Sequence, residues 1–159
     1  MNTRILKAAC AAALAIASAS AFATAKVTYT DTDKMSDVPR HHSDLENMKY
    51  VFNEHLNKLS EQLPAGQVLN IEFLDIDLAG EEFPRVAVRD IRVMKGQADW
   101  PRMHFRYSVE QDGKVIESGE KKIQNPAYQQ SINMYDRDLY GYEKQMLDDW
   151  FRKDLLHKR

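Results

Sequence analysis

The sequence predicts an α+β fold, a two-layer sandwich of about five mostly antiparallel strands with two main helices packed on one face. Three observations predict it. Val68 to Gly80 alternates as a half-buried strand, with Leu69, Ile71 and Phe73 against Asn70 and Glu72. Two helical stripes flank the strands, one before this segment and one at the end of the chain. Asp112-Gly113, between Gln111 and Lys114, is a two-residue hairpin signal, because both central positions of a type I′ turn need positive φ.

The phase of the long strand slips in its middle. Leu74, Ile76 and Leu78 carry the apolar face onward while Asp75 and Asp77 take the polar one. A straight strand would turn both carboxylates onto the face that Phe73 buries, so a β-bulge is expected near Phe73 or Leu74. This strand is expected to be central.

Residues 1–25 read as a secretory signal. Arg4 and Lys7 supply the positive start, and Ala8 to Ala17 an apolar run of about ten residues. Ala21-Phe22-Ala23 or Ala23-Thr24-Ala25 supplies the small-residue cleavage site. No later stretch approaches the roughly 20 apolar residues of a membrane span. Residues 26–159 are therefore expected to form a single soluble α+β domain, periplasmic or secreted, with no transmembrane segment. Cys10 is the only cysteine and lies inside the apolar run, not behind it, which argues against a lipid anchor. Without it the mature chain has no disulfide, thiolate metal site or cysteine nucleophile.

Of 22 basic residues the signal carries two, leaving 20 against 24 acidic ones, a net charge of −4. That balance gives no support to nucleic-acid binding, which favours a strongly basic domain.

Lys26 to Thr30 alternates and reads as a first strand, and Asp31 to His42 as a loop. Ser43-Asp44-Leu45-Glu46 has the form of a capping box. From it Leu45, Met48, Phe52, Leu56, Leu59 and Leu63 make a helical stripe about 80° wide, flanked by Val51 and His55. Pro64-Ala65-Gly66 ends the helix. Strand, helix and strand with short joints predict a right-handed crossover that makes the first two strands parallel.

Arg85 to Lys95 reads as a strand with Ile91 and Val93 facing the core and Arg92 facing out. Arg102 to Glu110 alternates, with Met103, Phe105, Tyr107 and Val109 in, and Arg102, His104, Arg106 and Ser108 out. Lys114 to Ile123 is charged and contains Gly119, which suits an edge strand. Asn125-Pro126 predicts a short helix to about Met134. A final helix from about Leu139 to Leu156 carries Leu139, Tyr142, Met146, Leu147, Trp150, Phe151 and Leu155 over more than about 120° of arc.

Several stretches together resemble an uncharacterised family of exported bacterial proteins, domain of unknown function family 3016. They are Asp75-Ile76-Asp77-Leu78-Ala79-Gly80, Asp90-Ile91-Arg92-Val93-Met94, Asp99-Trp100-Pro101-Arg102, Ser118-Gly119-Glu120 and Met146-Leu147-Asp148-Asp149-Trp150-Phe151-Arg152. The resemblance implies an exported single domain. It brings no activity, cofactor or catalytic residue to carry over.

Four groups of residues are candidate sites. Asp75 and Asp77 project from one strand face and could hold a hard cation, or be a solvated face after the bulge. Arg102, His104 and Arg106, with Arg92 beside them, would form a basic strip for an anionic ligand or partner. Its plainer reading is a cross-strand charge ladder with Glu72, Asp75, Asp77, Glu117 or Glu120. His41 and His42 could bind a transition metal, though adjacent histidines seldom converge on one ion. Trp100, and Trp150 within the last helix, either cap the core or meet a partner.

No Gly-x-Ser-x-Gly elbow, phosphate-binding glycine loop or recognisable triad is present, and no catalytic residue or cofactor is assigned. The expected function is a non-enzymatic accessory or binding protein of the cell envelope, whose open sheet face or terminal helix meets an envelope protein. The alternative is a metal-assisted hydrolase using Asp75 and Asp77 with a histidine such as His104.

Overall fold

A computed structural model describes residues 22–83 and 91–156. The stretch read as a signal, through residue 21 and with Cys10, lies outside them, as do Pro84 to Asp90, which include most of the strand predicted over Arg85 to Lys95.

Four strands form the main sheet in the order β1-β2-β5-β6: β1 (Thr24–Tyr29), β2 (Gln67–Asp77), β5 (Arg102–Gln111) and β6 (Lys114–Gln124). β1 runs parallel to β2, as a strand pair joined through a helix requires, and the other pairings are antiparallel. A separate hairpin pairs β3 (Glu81–Phe83) with β4 (Ile91–Val93). Helix α1 spans His42–Ser60, and α2 (Gly141–Trp150) runs on into a π-helical segment, Phe151–Leu156. The class is α+β, as the periodicities predict.

The bulge falls at the expected place. β2 and β5 lose register between Phe73 and Asp75, after which Ile76 faces Met103 and Asp75 faces His104. Phe73 and Ile76 are thereby both fully buried while Asp75 and Asp77 stay on the open face. The hairpin between β5 and β6 turns at Asp112 and Gly113, with φ of 51° and 74°.

One apolar core lies between the helices and one face of the sheet. Phe73 stacks on Tyr29 with ring centroids 5.3 Å apart and meets Phe105 edge-on at 5.8 Å. Phe52 of α1 lies 6.1 Å from Phe73, and Trp150 of α2 meets Phe105 at 4.7 Å and Tyr107 at 5.2 Å. Burying each such side chain contributes roughly 1.5–3 kcal/mol. Trp150 is only 4% exposed, so it is a core residue and no partner surface.

Four expectations need correction. The capping box does not form, because α1 begins at His42 with His41 as its cap. Ser43 and Glu46 then lie inside the helix, and Glu46 takes Lys49 at 2.8 Å. The strand around Arg92 has the opposite phase to the predicted one. Ile91 and Val93 are each 37% exposed, while Arg92 is drawn inward by Asp37, because this hairpin backs onto a polar cleft and not onto the apolar core. For the same reason Arg92 does not lie beside Arg102, His104 and Arg106. Finally, Asn125-Pro126 opens a series of turns and no helix. Asn125 does cap locally, its side chain accepting from the Ala127 N–H at 3.2 Å. Tyr128 is then pulled into the interior, 1% exposed, with its hydroxyl on Asp99 at 3.1 Å. Tertiary packing there overrides the local helix signal.

Candidate functional site

The open face of the sheet carries the charges that the alternation placed there. The bulge at Leu74 brings Asp77 opposite Arg102 and Asp75 opposite His104, while Glu72 faces Arg106 ahead of it. Arg102 donates to Asp77, with Nε at 2.7 Å from Oδ2. His104 Nε2 meets Glu120 at 2.6 Å, and Arg106 bridges Glu120 at 3.1 Å and Glu72 at 3.5 Å. Asp75 instead accepts from the Ser36 backbone at 2.7 Å and its hydroxyl at 2.8 Å. The strip is thus a cross-strand ladder in which Arg102, His104 and Arg106 each already have a carboxylate partner. Trp100 borders it, with the Arg102 guanidinium 5.8 Å from its ring.

The residues considered for a metal do not come together. Asp75 and Asp77 sit on β2 with the partners just named, whereas His41 and His42 are exposed at the start of α1. Among the described residues no group of three or more His, Cys, Asp or Glu side chains is placed to hold a metal ion.

A second polar region, which the sequence reading did not find, lies where β2 ends. The chain leaves the sheet through Leu78, Ala79 and Gly80, all buried, and its backbone groups need partners there. Asp37 continues the line of β1 along β2: its N–H donates to Ile76 O at 2.9 Å, and Leu78 N–H donates to Asp37 O at 3.2 Å. Its carboxylate receives Arg92, Nη1 at 2.6 Å and Nη2 at 3.4 Å, a forked ion pair. Arg92 also donates to Gly80 O at 3.2 Å. From α2, Glu143 accepts the Ala79 N–H at 2.7 Å.

Glu143 is 2% exposed, and burial raises its pKa above the ordinary glutamate value against the opposing pull of the Ala79 N–H and Arg92. Burial lowers the Arg92 pKa, but the bond and charge of Asp37 outweigh it, with Glu82 and Glu143 adding, so the guanidinium is held charged. Tyr140 is pushed up to about 12, first by burial.

The start of α2 shapes this region. Tyr140 sits in the left-handed region at φ 56°, an uncommon conformation for a residue with a side chain. Gly141 follows because nothing larger fits: a Cβ there would lie 1.9 Å from the Tyr135 carbonyl oxygen.

Between the starts of α1 and α2 and the β3–β4 hairpin is a cleft of about 510 Å³, a volume suited to a small ligand. Pro39, Asn47, Glu82, Met94, Asn133 and Tyr140 line it, above Arg92 and Glu143. Two lining atoms, Glu82 Oε2 and Asn133 Nδ2, are buried without a hydrogen-bond partner. One sequence signal pointed here. Glu143 lies on the apolar arc of the last helix, three and four residues before Met146 and Leu147, where a carboxylate needs a specific partner.

The fold and the cleft define a class, an α+β protein with a charge-laddered sheet face, uncovered among the described residues, and a ligand-sized cleft of mixed polar and apolar lining at the ends of its helices. The chain belongs to the family described as protein of unknown function (DUF3016), whose pattern it matches over residues 23–153. No curated protein and no solved structure matches it. The resemblance carried by the motifs from Asp75 to Arg152 therefore holds.

Proposed function

We propose that this is an exported, non-enzymatic binding protein of the cell envelope whose ligand enters the cleft between α1, α2 and the β3–β4 hairpin. The observation that carries the reading is the pair of buried atoms without partners, Glu82 Oε2 and Asn133 Nδ2, in one cleft. Buried polar atoms are nearly always satisfied by protein, water or a ligand, and of the four without a partner among the described residues these two share one ligand-sized cleft. Asp44, Asp136, Asp138 and Glu143 join Glu82 in the lining, against Arg92 as the basic side chain among its described residues, with Asp138 taking Lys144 at 2.9 Å and Glu143 the Ala79 N–H. That lining favours a ligand with an amine or guanidinium for Glu82 and a carbonyl for Asn133, as a short basic peptide offers. The basic strip offers less to an anionic ligand, because its cations are already paired.

Export is supported by the Ala-rich apolar run behind Arg4 and Lys7 at the start of the chain. Thr24 and Ala25 are part of β1, and the Ala25 N–H donates to Asn57 at 2.9 Å. Cleavage after Ala23 keeps that strand but removes Ala23, a core residue 5% exposed, whereas cleavage after Ala25 removes two strand residues as well. Cell fractionation with N-terminal sequencing tests this: a periplasmic or secreted chain starting at Thr24 is expected, and a cytoplasmic uncleaved chain rejects it. Titration calorimetry with lysine- and arginine-containing dipeptides tests the site. Binding weakened tenfold or more by Glu82→Gln is expected, and failure of every dipeptide to bind, or indifference to Glu82→Gln, rejects the ligand class.

A further inference from the structure

β6 is an edge of the sheet and, with 11 residues against 6 in β1, the longer one. An edge of that length presents a row of backbone donors and acceptors to another strand. The side chains of β6 favour one occupant. Two copies related by a two-fold axis perpendicular to the sheet pair antiparallel, and each residue meets one on the same face. Centring the axis on Glu117, Glu120, Lys121 or Lys122 sets identical charges against each other. Centring it on Ser118 sets Ile116 against Glu120 and Val115 against Lys121 and brings neither Glu117 nor Glu120 opposite a lysine. Centring it on Gly119 opposes Glu117 to Lys121 twice, once on each side of the axis, and Ser118 to Glu120.

We propose that β6 is a homodimer interface, in which two copies of this chain pair antiparallel about Gly119 and join their four-stranded sheets into one. Glu117 and Lys121 both point to the helix side of the sheet, opposite Val109 and Phe105 of β5. Each is already steadied there, Glu117 by the Tyr107 hydroxyl at 3.3 Å and Lys121 by Asp154 at 2.9 Å. A carboxylate and an ammonium both have capacity for a second partner. The bulge in β6 opposite Val109 and Glu110 bounds the paired segment, and beyond it Val115 and Ile116, 58% and 53% exposed, flank Lys122 of the second copy. Lysines on an edge normally repel stray strands. Of those in β6, Lys121 meets a glutamate in this register, while Lys122 lies against Ile116, and the interface is independent of the cleft.

Analytical ultracentrifugation of the mature chain tests the pairing. A concentration-dependent dimer is expected, weakened at least tenfold by Glu117→Lys alone and by Lys121→Glu alone. An equimolar mixture of these two variants is expected to dimerise again, because every residue 117 then faces the opposite charge at residue 121. If either charge reversal unfolds the chain by circular dichroism, Glu117→Gln replaces it, with a severalfold loss expected. A monomer at all concentrations up to about 1 mM, the weak end of specific association, overturns the proposal. So does a dimer indifferent to these variants, or a mixture of folded variants that stays monomeric.

Discussion

The open sheet face and the cleft at the end of β2 hold the same kinds of charged side chain in opposite surroundings. On the face, the side chains of Arg102 and Arg106 are 50% and 58% exposed, so water competes for their bonds, although Asp77 beneath Arg102 is 15% exposed. In the cleft, Arg92 and Asp37 are 17% and 28% exposed, and the bonds of Arg92 and Glu143 also satisfy the buried backbone of Ala79 and Gly80. Pairing alone therefore says little about importance. What differs is the burial of the cation and whether its bonds also satisfy buried backbone.

The largest effect is expected where the cleft depends on backbone packing. Gly141→Ala places a methyl carbon against the Tyr135 carbonyl oxygen, and neither backbone can move without displacing α2. The cost should reach or exceed the upper end of the roughly 1–3 kcal/mol typical of overpacking. Gly119 in β6 makes the useful contrast. A Cβ there would approach the Tyr107 ring at 2.9 Å, and a side chain can turn aside. Urea unfolding midpoints of the two alanine variants should rank Gly141→Ala as clearly the worse.

Arg92→Ala comes next. It takes the guanidinium from Asp37 and from the buried Gly80 carbonyl and removes the charge that faces Glu82 and the buried Glu143, at an expected cost of about 3 kcal/mol. Unfolding in 1 M NaCl should recover little of that loss, since partly buried charges are weakly screened. A cost no larger than that of Arg102→Ala would erase the distinction between the two regions.

The part of this contrast that was legible in the sequence is the part written in short-range periodicity. The bulge showed because Asp75 and Asp77 break the phase that Phe73 sets, and the outward run of Arg102, His104 and Arg106 follows from strict alternation. The cleft was not legible because its residues come from five separate places and each looks ordinary alone. Arg92 read as an outward charge on a core strand, since nothing local shows that its hairpin leaves the sheet. Tyr128 likewise gave no sign that Asp99, 29 residues away, would hold it.

Acid titration probes the buried side through His55. Its ring is 7% exposed and held at about 4, first by burial, with the Lys144 and Lys58 charges adding and the Lys144 carbonyl and Asp138 opposing. Nε2 lies 3.0 Å from the Lys144 carbonyl and so carries the proton of the neutral ring, and Tyr135 meets the ring edge-on at 5.0 Å. A depressed histidine binds its proton more readily in the unfolded chain. Its stabilising contribution is complete above pH 6.5 and is lost as pH falls toward 4, amounting to about 2–3 kcal/mol. Glu143 works the other way, because its raised pKa lets the folded chain take up a proton first as pH falls. Unfolding free energies between pH 7 and 4.5 should therefore fall less steeply for His55→Gln than for the parent chain.

The smallest effect is expected on the open face. Arg102→Ala leaves Asp77, whose side chain is 15% exposed, on a sheet face that water reaches once the guanidinium is gone. The carboxylate can then be solvated where it stands. What is lost is an exposed pair and the contact of the guanidinium with Trp100, together at most about 1 kcal/mol. Raising salt in the parent chain should remove part of the same increment, because the pair is exposed to screening. If Arg102→Ala instead cost as much as Arg92→Ala and the loss were insensitive to salt, the ladder would be a buried network, and the open face would have to be covered in solution.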